Sequence, residues 1–185
     1  TQLNTPTCSG TSLWGKDKTI DQDPIILTCR YSQNLLNWIA AVEPDIAEDY
    51  LLMMIEMDHA WTREVGAQLI CLNAFRQNSL KNLASRVLTS DDPVLRRGAA
   101  RIYARNLEVW DTMEGCAEKL SILMHDKDEE VRRHVGSCFY YLRAEHLNDL
   151  SDFIKEFSFS RSAQTNPNGL IKYLLKMRHH RHRYE

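Results

Sequence analysis

Apolar residues recur along most of the chain with the three- and four-residue spacing of amphipathic helices, and short polar breaks separate these stretches. No stretch alternates apolar and polar residues as a strand would. The pattern therefore predicts an all-α protein. A first helical stretch follows Pro24, and further helices are predicted at about 44–57, 60–75, 79–88, 93–105, 108–124, 129–143, 147–157 and 169–178.

The breaks between these stretches carry the residues that start helices. Asp92 and Pro93 combine a capping side chain with a proline suited to a first turn, and Asp58 and Asp128 stand in front of two further helices. Residues 158–168 are predicted to form a loop. The polar residues 1–23 are predicted to form an irregular lead-in to a single domain over 24–183.

An internal repeat follows Asp58, Asp92 and Asp128, which are 34 and 36 positions apart. Because an isolated pair of helices cannot cover its apolar face, repeated pairs are expected to stack and share a core. A small residue in each unit is expected to let the neighbouring helix approach closely. Each aspartate is followed by an apolar residue three positions later, an arginine five later and a small residue eight later: Trp61, Leu95 and Val131; Arg63, Arg97 and Arg133; Gly66, Ala100 and Gly136.

This pattern resembles the second helix of the HEAT-repeat family, in which an aspartate precedes an apolar residue, an arginine and small residues. Asp92 with Arg96 and Asp128 with Arg132 match it. In the first unit Thr62 stands where the arginine is expected, so that Arg63 is the candidate substitute.

The resemblance implies a fold and a role for the arginines. The implied fold is a right-handed α-α superhelix of about four HEAT-like helix pairs, with Arg96 and Arg132 bonded to a ladder of aspartates. The implied pairs cover about 44–77, 78–107, 108–144 and 145–183.

The net charge of −2 is distributed unevenly along the chain. Nine acidic residues face two basic ones between positions 21 and 64, whereas six basic residues face one acidic one between 161 and 185. Such a difference between the two ends bears on partners more than on fold. The candidate interaction surface comprises Arg97, Arg101 and Arg105, spaced along one helical face, and Lys172, Lys176, Arg178, Arg181 and Arg183 near the C-terminus, although a solvated basic face is the simpler explanation of both groups.

Residues that usually mark catalytic or metal chemistry show no pattern of that kind. The five cysteines lack metal-ligand spacing, and Cys71, Cys116 and Cys138 lie within apolar helical patterns, as buried reduced thiols of a cytoplasmic protein would. The histidines 179, 180 and 182 indicate a basic tail rather than a metal site. No apolar run reaches the ~18 residues of a membrane span. We expect no cofactor, no metal and no membrane.

These features predict a non-catalytic scaffold for protein–protein interaction, or a HEAT-repeat module of a larger assembly. Its partner would be another protein or further domains of the same polypeptide, since the N-terminus has neither an initiator methionine nor a signal-peptide pattern. The alternative is a nucleic-acid-binding protein similar to HEAT-like alkylpurine DNA glycosylases, for which Trp61 and Trp110 would be the aromatic candidates. Core packing is the competing explanation for Trp61, and the acidic region 21–64 disfavours a DNA cradle.

Overall fold

The computed structural model describes residues 34–35, 38–39, 42–107, 109, 112–142 and 149–181, with the side chains of Pro44 and residues 176–181 excepted. Within these ranges the chain is all-helical and contains no strand, so the predicted fold class is confirmed. The α-helices are α1 Pro44–Glu56, α2 Ala60–Asn73, α3 Leu80–Leu88, α4 Pro93–Asn106, α5 Met113–Leu123, α6 Glu129–Gly136, α7 Ser151–Ser158, α8 Arg161–Thr165 and α9 Pro167–Arg181.

Side-chain caps fix where several of these helices begin. Asp92 accepts a hydrogen bond from Val94 N at 2.9 Å, and Asp128 accepts one from Val131 N at 3.1 Å. Each bond satisfies a backbone donor that has no partner within the helix. Helical backbone is also found at residues 34–35, 38–39 and 42, before α1.

Alternate helices stack on one another. The helices α2, α4, α6 and α8 contact each other in series, and α1, α3, α5 and α7 lie beside them. Between the two sets lies a continuous apolar core. Its fully buried large side chains are Leu51, Ile70, Leu80, Val87, Leu107, Leu120, Leu123, Met124, Val131, Leu142, Phe157 and Tyr173.

Glycines permit the closest approaches in this stack. A Cβ atom added to Gly98 of α4 would lie 2.6 Å from the main-chain oxygen of Glu64 and 2.8 Å from the Cβ of Ala67, both in α2. Gly66 and Gly136 are similarly tight, against Met54 and Asn166 respectively. The predicted role of the small residues is therefore correct in the first and third units, and in the second unit Gly98, two residues before Ala100, makes a close approach.

The first repeat is offset by one residue from its predicted register. His59, and not Asp58, is the N-cap of α2, and it accepts a bond from Thr62 N at 3.4 Å. The caps are thus His59, Asp92 and Asp128, which are 33 and 36 positions apart. The predicted core position of Trp61 is wrong for the same reason, since that side chain remains 37% exposed.

The C-terminal third differs most from the prediction. The predicted loop 158–168 contains α8, because Ser160 caps it and Ser162 donates to the carbonyl oxygen of Met124 through its main-chain N and its Oγ, at 3.1 and 2.8 Å. The last helix begins at Pro167 rather than at 169. The predicted helix 129–143 is α-helical only to Gly136 and continues as a 3₁₀ turn, Ser137–Tyr140. The predicted lead-in, 1–23, lies outside the described residues.

Candidate interaction surfaces

One arginine in each of the first three units links successive layers of the stack. Through NH1, Arg63, Arg96 and Arg132 donate to the carbonyl oxygen six residues earlier, at 2.8, 2.5 and 2.8 Å. Through Nε each arginine bonds a side chain of the following unit, about thirty positions along the chain. We call these three residues the arginine ladder. Because each guanidinium fixes both its own helix start and the next layer, the ladder sets the spacing of the units.

The acceptors of the ladder differ in chemistry. Arg63 bonds Asp92 at 2.8 Å, which confirms it as the substitute for Thr62. Arg96 binds both carboxylate oxygens of Asp126, at 2.7 and 3.0 Å, and both side chains are buried. The expectation that Arg132 bonds an aspartate is wrong, because the last unit presents the hydroxyl of Thr165 there, at 3.1 Å.

A second set of charged groups crosses α2, α4 and α6. Glu64 of α2 is buried, and its two oxygens pair with Arg97 Nε at 3.0 Å and Arg101 NH1 at 2.7 Å, both from α4. Burial of a carboxylate is tolerated when cations and hydrogen bonds compensate its lost hydration. Two of the predicted surface arginines are thus anchored to the layer before their own.

His134 of α6 completes this set. The guanidinium of Arg101 lies 3.3 Å from its Nε2, so Arg101 donates and the imidazole accepts. The pKa of His134 is lowered to about 3. Burial is the main cause, and repulsion by the charges of Arg101, Arg97, Arg133 and Arg105 adds to it. At neutral pH the imidazole is therefore uncharged and able to accept the bond. We call Glu64, Arg97, Arg101, Arg105 and His134 the charged ridge.

The predicted interaction residues fall into three groups. Arg97, Arg101 and Arg105 share one side of α4 and are half-buried. Lys172 of α9 is exposed, with its Nζ 5.6 Å from the centre of the Tyr140 ring, a cation–π distance. The side chains of Lys176, Arg178 and Arg181, and the whole of Arg183, lie outside what the structure describes. A binding role for these residues stays a prediction.

An exposed apolar face runs along α1 and its flanks. The side chains of Ala47, Leu51 and Ile55 are buried against the rest of the stack, while another side of α1 is exposed. Glu43 N donates to Ile39 O, and Ala47 N to Glu43 O, so helical bonding bridges the segment before α1. We call the exposed residues the N-terminal stripe, spaced every third or fourth position: Leu35, Trp38, Val42, Ile46, Tyr50, Met53, Met57 and Trp61.

A smaller apolar face lies at the other end of the stack. Ile171, Leu174 and Leu175 of α9 are each about half exposed, at one helical spacing. We call these three residues the C-terminal patch. On its buried side α9 packs Tyr173 against Phe139, with ring centres 5.4 Å apart.

A cleft of about 530 Å³ lies between α5 and α7. Its floor is apolar, with Met113, Ala117, Leu150 and Phe153. Its rim carries carboxylates, one of which, Glu156, accepts a hydrogen bond from Ser121 at 2.8 Å. The acidic rim residues are Glu114, Glu118, Asp149, Asp152 and Glu156.

The cysteines of the described part of the chain occupy the core. Cys71, Cys116 and Cys138 are fully buried as free thiols, as predicted, and burial raises the pKa of Cys71 and of Cys116 to about 12. Among the described residues no group of histidine, cysteine and carboxylate side chains is arranged to hold a metal ion. None of the described helices combines the length and the apolar character that crossing a bilayer requires.

Sequence analysis missed the most informative parts of these surfaces. Glu64 and His134 drew no attention, although each lies 33 positions from an arginine that it contacts. The N-terminal stripe was not singled out from the sequence, and core packing was the competing explanation for Trp61. A usable signal was present, since residues 34–62 contain six acidic residues and no lysine or arginine beside that stripe.

Comparison of the chain with family models, curated proteins and solved structures finds no match.

Proposed function

We propose that this chain is a non-catalytic protein-interaction module built as a stack of HEAT-like helix pairs. The N-terminal stripe carries the proposal. Exposed apolar side chains scattered singly are ordinary, whereas a contiguous apolar strip on a surface is typical of a protein-binding site. Here Ile46, Tyr50 and Met53 follow one side of α1 at helical spacing, and Trp38 of the helical segment before it is 62% exposed.

The stack itself supports the same function. A helical repeat needs a polar outer face on its terminal unit to remain soluble alone. The outer side of α1 exposes Ile46, Tyr50 and Met53 among its carboxylates, so it is suited to another protein or to further repeats. We take the stack to be a right-handed superhelix, as the HEAT-like pattern of Asp92 and Arg96 implies, and the compartment to be the cytoplasm.

The nucleic-acid alternative has weaker support. Arg97 and Arg101 of the charged ridge share the single negative charge of Glu64, which offsets one of their two positive charges, and the region beside the N-terminal stripe is acidic. Phosphate binding requires uncompensated lysine and arginine side chains. Trp61 lies beside this acidic region, with its ring centre 6.4 Å from that of His59 and the two rings steeply inclined, and Trp110 lies outside the described residues.

Site-directed photo-crosslinking tests the proposal. A photoreactive residue replaces Met53 in the N-terminal stripe, and in a matched control it replaces Ile122, an exposed apolar residue of α5 outside both apolar faces. In native lysate we expect a discrete protein adduct from position 53 and none from position 122. Equal adducts from both positions, or none from position 53, would contradict the proposal. Retention of duplex DNA at low salt would favour the alternative.

A further inference from the structure

We propose that the N-terminal stripe of one copy docks on the C-terminal patch of a second copy, so that stacks join end to end. This inference rests on the proposed function and names the partner. Both faces are apolar and exposed; the N-terminal stripe is centred on α1, and the C-terminal patch lies on α9, the last described helix of the stack.

Charge distinguishes this pairing from the alternatives. Between positions 34 and 62 the chain carries Glu43, Asp45, Glu48, Asp49, Glu56 and Asp58, with no lysine or arginine. The sequence of α9 carries Lys172, Lys176, Arg178 and Arg181, with no acidic residue. Two N-terminal stripes would bring twelve carboxylates together, and two C-terminal patches would bring eight cations together. Only the head-to-tail pairing places opposite charges around an apolar contact.

Residues 1–33 are the competing occupant within the same chain. Their charged residues are Lys16, Lys18 and Arg30 against Asp17, Asp21 and Asp23, so they balance to zero. They therefore offer no complement to the acidic N-terminal stripe, whereas α9 does. A head-to-tail contact also stacks one helical unit on another, as the middle of this chain already does.

A contact between two different faces is not self-limiting. Each added copy leaves one N-terminal stripe and one C-terminal patch free, so the assembly closes as a ring or continues as a filament. Each contact involves little more than one helix face, which places it toward the weak end of specific interfaces. Association is therefore expected at micromolar rather than nanomolar concentration.

Complementation between two variants tests the inference. Tyr50→Gln/Met53→Gln removes the centre of the N-terminal stripe, and Leu174→Gln/Leu175→Gln removes the C-terminal patch. Both change exposed positions and insert a good helix former, so folding is preserved. In sedimentation velocity over roughly 1 µM to 1 mM, wild type is expected to grow beyond a dimer. Each variant alone is expected to associate at least about tenfold more weakly, the effect of losing one apolar anchor.

The mixture is the decisive sample. Each variant retains one intact face, so an equimolar mixture is expected to form a dimer and nothing larger. The matched control, Ile122→Gln, is expected to associate as wild type does. Raising salt from about 50 to 500 mM is expected to weaken wild-type association several-fold, because screening reduces the attraction between unlike charges.

Several results would overturn the inference. A mixture that stays monomeric would contradict it. Loss of association with the Tyr50→Gln/Met53→Gln variant alone would also contradict it, because that result indicates contact between two N-terminal stripes. If wild type is monomeric and the substitutions Tyr50→Gln/Met53→Gln lower its stability, residues 1–33 cover the N-terminal stripe instead of a second copy. If wild type stays monomeric but position 53 still crosslinks to a different protein, the second copy is excluded and the proposed function stands. If wild type stays monomeric and position 53 gives no crosslink, both the head-to-tail contact and the proposed function are contradicted.

Discussion

The middle of the stack and its two ends use their side chains differently. In the middle, Arg96 is buried against Asp126, Glu64 is buried against two arginines, and Gly98 lets α4 approach the backbone of α2. At the ends, α1 and α9 leave apolar side chains in water. Inside the stack, neighbouring helices pair the charged groups and bury the apolar side chains of each unit. Where no described neighbour covers a helix, its apolar side chains stay exposed.

The difference follows from what each helix contacts. A helix in the middle has another layer on both sides, so its charged groups find partners one unit away. Among the described residues, α1 contacts α2 and α3, and no described layer lies on its other side. Stability should therefore depend on the middle, and association on the ends.

The largest expected effect is at the centre of the arginine ladder. Arg96→Met leaves the buried carboxylate of Asp126 without its bidentate partner. Removing one member of a buried pair costs roughly 3–5 kcal/mol. Urea unfolding measures the loss, with Arg133→Met as control, because Arg133 pairs with Glu129 and Glu130 at the exposed surface and its loss costs about 0–1 kcal/mol. Equal losses would mean that the middle layers are not held by the ladder.

The next effect concerns the contact between α4 and α2. Gly98→Ala places a Cβ against the backbone of Glu64, which cannot yield as a flexible side chain can. Overpacking of this kind costs roughly 1–3 kcal/mol, more than the helix propensity gained. Gly115→Ala is the control, since its Cβ would meet only the ring of Phe75, at 3.0 Å. A stabilised Gly98→Ala protein, by thermal unfolding, would contradict the close approach.

The smallest of the three stability effects depends on pH. The pKa of His134 is about 3 when folded and about 6.5 when unfolded, so below 6.5 the unfolded chain takes up a proton that the folded one refuses. Stability that is complete above pH 6.5 is thus lost as pH falls toward 3. From pH 7 to 5, wild type should lose roughly 1–2 kcal/mol more than His134→Gln, whose amide oxygen can still accept from Arg101. Parallel pH curves for the two proteins would exclude a His134 that stays neutral in the folded protein.

Local patterns predicted most of the helices. The capping residues Asp92 and Asp128 located the starts of α4 and α6, because these signals act within a single helix. α8 was missed because it depends on a tertiary bond from Ser162 to Met124. The register of α2 was missed because two residues, Asp58 and His59, compete for one cap.

The surfaces were harder to predict than the fold. The contact between Arg101 and Glu64 joins side chains 37 positions apart, and no short motif encodes it. The N-terminal stripe shows why periodicity alone misleads: α1 has two apolar sides, and the sequence pattern does not say which one the neighbouring helices cover. Its acidic flanks were the only local clue.

Thermal unfolding at increasing protein concentration tests most directly the claim that the ends serve association and the middle serves stability. Association of folded copies raises the midpoint by mass action, whereas a monomer is insensitive to concentration. We predict a midpoint that rises with concentration for wild type, and a constant midpoint for Tyr50→Gln/Met53→Gln that equals the wild-type value at high dilution. A wild-type midpoint that stays constant, or a variant already less stable when dilute, would contradict this account.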